Sequence, residues 1–187
     1  MRIKDMVKAA KMKKHGFLAE TASQLEQTIT ANYGIEDSQK RDAAREKALV
    51  AAMDNILTEE QRLLLHEYGG SCRGGETGRQ CKLLKDELDG LTIAEKIDRM
   101  NKNGHVYPTR LNADGTITAR CGCHCLQYRY QKPETAKAPS AYGCAAGAAL
   151  ANLKTALGVN ARIKSIDYPQ PGDGKKHMEF VFEIISL

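Results

Sequence analysis

Tryptophan is missing from this chain and phenylalanine occurs only three times, so its core must be built from Leu, Ile, Val, Ala and Met rather than from large rings. No run of about 18 apolar residues occurs, so no helical membrane span is expected. The N-terminal stretch is basic (Lys8, Lys11, Lys13, Lys14) but lacks the apolar segment and small-residue cleavage site of a secretory leader. The cytoplasm is therefore the expected location, where thiols stay reduced. The net charge of +5 comes without any recognisable nucleic-acid-binding module, so neither nucleic acid nor membrane is an expected partner. The turn Gly69–Gly75 precedes a helix but lacks the Lys-Ser/Thr ending of a phosphate-binding loop, and reads as a connector. There is no internal repeat and no low-complexity segment.

What is present divides in two. Residues 1–57 read as a helical extension packing on the core. Asp37 to Leu57 is rich in Ala, Arg, Lys and Glu, and Ala44, Ala48, Ala51, Ala52 and Ile56 follow helical spacing. Gly34 is a plausible stop for the helix before it. Residues 58–187 read as a cysteine-rich α+β domain. Thr58 to Gln61 and Thr92 to Glu95 are capping boxes that open helices, and a further helix is expected from Glu76 to Leu88. From Gly104 the pattern becomes that of strands. Val106–Leu111 carries Pro108, which confines it to a sheet edge. Asn112-Ala113-Asp114-Gly115 signals a hairpin turn, answered by Thr116–Arg120. Leu126–Tyr130 is a further strand candidate. Tyr142–Leu157 reads as a helix of small residues ended by Gly158, before strands at Ala161–Tyr168 and Met178–Ile185. Helices first, then β-β-α-β-β, predicts an α+β fold with an antiparallel sheet.

Six cysteines supply the distinctive chemistry. Cys121, Cys123 and Cys125 alternate around Gly122 and His124, and Cys72, Cys81 and Cys144 lie apart. Zinc ligand sulfurs sit roughly 3.8 Å apart in a tetrahedron. Alternate residues of a strand are about 6.8 Å apart, which puts Cys121 about 13.5 Å from Cys125. Three thiols on a straight strand cannot close on one ion. A metal site would need a bend at Gly122, or ligands from Cys121, Cys123 or Cys125 together with Cys144 and Cys72. Zinc is the candidate metal, and an iron–sulfur cluster would also need four thiolates. No C-x-x-C ligand pair occurs.

A nucleophile reading centres on Cys144, placed in the first turn of the helix that follows Gly143, where a thiolate is stabilised. His124 is the candidate base by chain order, although on a strand it points away from Cys123 and Cys125. The bland alternative is that these thiols are ordinary core residues. His66 and His105 fall near element ends and are expected to be solvated. Tyr128 and Tyr130 read as sheet packing.

Cys121-x-Cys123-x-Cys125, the proline-bearing loop, Tyr142-x-Cys144-x-x-Gly147, the strand Val159–Ile166, a Gly-Asp turn and Phe180-x-Phe182-x-Ile184 together resemble an uncharacterised prokaryotic family of cysteine-rich proteins. That family distantly resembles 4-vinyl reductase domains and 2-amino-thiazoline-4-carboxylate hydrolases. Gly69-Gly70-Ser71-Cys72 is similar to its upstream cysteine element, and the likeness covers Leu57 to Leu187. The chain departs from the pattern at Tyr68 or Gly69, at Tyr142, and at Met178 or Phe180, where cysteines are expected. The resemblance implies an α+β fold that binds a small molecule, with metal or thiol sensing. Its distant relatives imply hydrolysis of a thiazoline ring.

Three functions follow as expectations. The first is a small-molecule-binding protein whose site is bordered by Cys121, Cys123, Cys125 and Cys144. The second is a hydrolase with Cys144 as nucleophile. The third is a non-catalytic helical interaction module, a homodimer through the Ala-rich helices before Leu57.

Overall fold

The computed structural model describes residues 19–30, 38–69, 75–121, 140, 143–168 and 177–186. The architecture is α+β. Helices α1 (Ala19–Thr30), α2 (Ser38–Ile56), α3 (Glu59–Gly69), α4 (Glu76–Glu87) and α5 (Ile93–Lys102) precede the first strands, β1 (Thr109–Leu111) and β2 (Ile117–Cys121). Then come α6 (Gly143–Leu157), β3 (Asn160–Asp167) and β4 (Met178–Ser186). The candidate strand Leu126–Tyr130 and the stop at Gly34 lie outside the described residues. Among the described residues no helix is long and apolar enough to cross a membrane.

Local chemistry sets the helix starts. Thr58 Oγ1 accepts from the Gln61 amide while Gln61 returns a side-chain oxygen to the Thr58 amide, at 3.2 and 3.0 Å. Thr92 and Glu95 make the same reciprocal pair at the start of α5. Gly158 ends α6 at φ +71°, and the Lys96 ammonium donates to the Leu157 carbonyl at 2.9 Å, where the helix dipole is negative.

Among the described side chains of α2, Leu49, Val50, Ala52 and Met53 are buried, while Ala51 and Ile56 are exposed. Of the stripe read off its alanines, Ala52 is buried as expected, Ala51 and Ile56 are not, and Leu49 and Met53 carry the buried face. A Leu-Met stripe buries more apolar area than an Ala stripe, and it wins. Met53 and Leu49 are used within the chain, as are Ala22 and Leu25 of α1, which packs on α2.

The four strands form one antiparallel sheet in the order β1-β2-β4-β3. The last strand therefore lies between β2 and β3. Ile117, Ala119 and Cys121 of β2 and Met178, Phe180 and Phe182 of β4 alternate onto one buried face. On the opposite face, Arg120 pairs with Glu179 and Arg162 with Glu183, both in register across strands. A bulge between Ile163 and Ser165 keeps both Ile163 and Ile166 in register with core residues, opposite Phe182 and Phe180. The strand at 109 starts later than expected because Pro108 lacks the amide a ladder needs, and β1 is the sheet edge.

Side chains protect both edges. The Asn101 amide brackets Thr109, donating to its carbonyl at 2.7 Å and accepting from its N–H at 2.8 Å. On the other edge Glu67 Oε1 accepts from the Ile163 N–H at 2.6 Å. Burial pushes the Glu67 carboxyl up, with that hydrogen bond, Lys154 and Arg162 opposing. Glu67→Ala should therefore cost about 1–2 kcal/mol by leaving the strand amide unpaired. Glu67→Gln, which keeps the acceptor without the desolvated charge, should cost much less. Urea unfolding of the two variants at neutral pH checks this.

Helix α6 packs on α3, α4, α5 and the sheet, and residues 143–150 are all buried. Its run of Gly, Cys and Ala is what lets neighbours approach from every side.

Candidate functional site

The closest approach is at the first residue of α6. A Cβ built on Gly143 would fall inside the imidazole of His66, against Cδ2, Nε2 and Cε1. Any side chain there would displace the ring, so glycine is required by contact rather than by backbone angle. The same geometry shows that the Nε2 edge of His66 faces the first turn of α6. His66 is not solvated, as its place near the end of α3 led one to expect. It is 1% exposed, and neither ring nitrogen has a hydrogen-bond partner among the described residues. Burial, assisted by the nearby Arg62 charge, lowers its pKa to about 3, so the ring is neutral.

His66 borders a cavity of about 200 Å³ lined by Glu59, Arg62, Leu63, Ser140, Ile166 and Tyr168 as well. The lining follows from element periodicity. Positions 59, 62, 63 and 66 share one face of α3, and 166 and 168 share one face at the end of β3. Ser140, buried just ahead of α6, is tied to α2: its N–H and hydroxyl both donate to Asp54 Oδ1, at 3.1 and 2.6 Å. Arg62 Nε lies 3.9 Å from the same oxygen, and another guanidinium N–H donates to the Leu57 carbonyl at 3.1 Å. Asp54 Oδ2 is buried without a partner among the described residues. The cavity lining is thus mixed: Glu59, Arg62, His66, Ser140 and Tyr168 supply polar groups, and Leu63 and Ile166 apolar ones.

Of the expected site residues, Cys72, Cys123, His124 and Cys125 lie outside the described residues. Cys144 is buried in the first turn of α6, next to Gly143, but is not among the residues lining the cavity. Cys121 is buried on β2 within the main core. Cys81 on α4 is a buried thiol whose pKa burial raises to about 11, which leaves it unreactive at neutral pH. Among the described residues no group of three or more His, Cys, Asp or Glu side chains could hold a metal ion.

The groups that sequence reasoning passes over are Asp54, Arg62, Ser140 and Tyr168, while His66 reads from the sequence as a solvated side chain. One signal was available. The uninterrupted small residues at 143–149 require a large side chain from elsewhere to fill the space beside them.

Comparison with known proteins gives no match to a family model, a curated protein or a solved structure.

Proposed function

We propose that this chain binds a small molecule in the cavity between α3, Ser140 and the end of β3. One observation carries the reading: a buried, neutral imidazole borders the cavity with both nitrogens unpartnered among the described residues. Leaving such a group unpaired costs about 1–3 kcal/mol, which a ligand hydrogen-bonded to it would offset. The cavity is smaller than the roughly 300–1,000 Å³ of drug-sized sites, so the ligand is small. The resemblance to 4-vinyl reductase-like and thiazoline-carboxylate hydrolase-like proteins supports the same broad class by analogy alone.

The test is imidazole ¹⁵N NMR of the purified protein, titrated with short acids, amides, amines and alcohols at millimolar concentration. At least one class should move the His66 nitrogens saturably. If none does, the cavity is not a ligand site.

A second reading, a hydrolase using Cys144, is favoured by the position of that thiol in the first turn of α6, beside the residue that touches His66. In this reading the helix N-terminus, not His66, must stabilise the thiolate, because an imidazole held near 3 is a poor base. Cys144 should then be alkylated by iodoacetamide faster than free cysteine at pH 7, and an equal or slower rate would remove this alternative.

A further inference from the structure

The charges around the cavity answer one another. Arg62 is the cation of the lining, and its Nε lies 3.9 Å from Asp54, whose other carboxylate oxygen is buried and unpartnered among the described residues. Glu59 is the carboxylate of the lining and is exposed. An anion would meet a guanidinium already shared with one carboxylate, and a second carboxylate nearby. A cation would sit beside a ring that already feels the Arg62 charge. An ion of either sign would leave its water without an unshared countercharge to replace it.

The hydrogen-bonding groups are of both kinds. An uncharged imidazole carries one N–H and one bare nitrogen, and on His66 neither has a partner among the described residues. Ser140 adds an acceptor: its hydroxyl hydrogen goes to Asp54 Oδ1 at 2.6 Å, and lone pairs of Oγ remain for a donor in the cavity. The two ring nitrogens point away from each other, so one small molecule meets one of them. A carboxamide serves either, accepting through its carbonyl from the N–H or donating through its NH₂ to the bare nitrogen. In both cases an N–H is left for Ser140 Oγ.

We infer that the ligand is a short uncharged molecule with a donor and an acceptor on one head group, as in a primary carboxamide, bonded to the His66 ring and to Ser140 Oγ with its carbon chain against Leu63 and Ile166. This rests on the reading of the cavity as a ligand site. A cavity of about 200 Å³ has the volume of roughly seven waters at ~30 Å³ each, which limits the chain to a few carbon atoms.

Butyramide, butyrate, butylamine and 2-pentanone share a similar chain and differ in charge and donors. Each is titrated into the wild-type chain with the His66 imidazole nitrogens as readout. Butyramide should shift those resonances saturably. The anion, the cation and the ketone, which accepts but cannot donate, should each bind at least about tenfold more weakly, as expected when a buried polar group is left unpaired or an ion is desolvated. In Ser140→Ala, butyramide affinity should fall toward that of 2-pentanone. Butyrate or butylamine binding as tightly as butyramide would overturn the uncharged head group while leaving the cavity a ligand site. Equal binding of 2-pentanone would overturn the donor to Ser140. If no probe moves the His66 resonances, both this inference and the ligand site fail. The wild-type comparison decides even where Ser140→Ala folds poorly.

Discussion

Gly143→Ala should be among the most damaging single substitutions in the described part of the chain, because the added methyl occupies the position of the His66 ring. Neither side can give way easily. The ring is fully buried on α3, and the Gly143 backbone begins a helix that is packed on every side. Overpacking of this kind costs about 1–3 kcal/mol and sometimes more, and here we expect about 3. For a chain of this size that corresponds to a fall in Tm of about 6–12 °C. The interaction is pairwise, so it can be isolated. His66→Ala alone should destabilise by opening a cavity. Adding Gly143→Ala to it should cost far less than Gly143→Ala costs in the wild type, since the new methyl then enters vacated space. Strict additivity in this double-mutant cycle, measured by urea unfolding, would show that the two residues do not meet.

The second large effect is acid sensitivity. His66 titrates near 6.5 in the unfolded chain and at about 3 in the fold. Between those values the unfolded state binds the additional proton. The contribution of the neutral ring to stability is therefore complete above about pH 6.5 and is lost as pH falls toward 3, at up to about 1.4 kcal/mol per pH unit. From pH 7 to pH 5 the wild type should lose about 2 kcal/mol from this group. Arg62 faces the ring and reinforces the effect. Glu67 acts in the opposite sense, since its raised pKa gives stability as pH falls through the carboxylate range. Glu67 is present in both the wild type and His66→Phe, so the difference between their curves isolates His66. His66→Phe keeps a flat ring against Gly143 and cannot titrate. Its stability should be flatter between pH 7 and 5 by the same amount. Parallel curves for the two proteins would mean that His66 is not buried as a neutral ring.

These two residues mark where sequence reading succeeds and where it stops. The capping boxes at Thr58 and Thr92 and the turn at Asn112–Gly115 are legible because each is settled by atoms a few residues apart. The α+β order is legible for a related reason: periodicity reports which face of an element is apolar. In α2 the periodicity was ambiguous, because an alanine stripe and the Leu49–Met53 stripe both fit a helix and only packing against its neighbours chooses between them. His66 reads from the sequence as solvated because nothing near it in the chain reveals that α6 will arrive beside it. The cavity exists only where α3, β3 and the segment ahead of α6 meet, and no local pattern encodes that meeting. Cysteine spacing drew attention to residues 121–125, yet the polar groups that converge among the described residues come from Asp54, Arg62, His66 and Ser140.

The position of β4 sets the timetable of synthesis. Residues 178–186 occupy the middle of the sheet, flanked by strands made earlier. While the ribosome is still upstream of them, the hairpin at 109–121 and the strand at 160–167 have no common neighbour, and the inner backbone groups of both stay in water. A nascent chain stalled at that stage carries two open borders, each able to recruit a foreign strand, until its own missing piece is delivered.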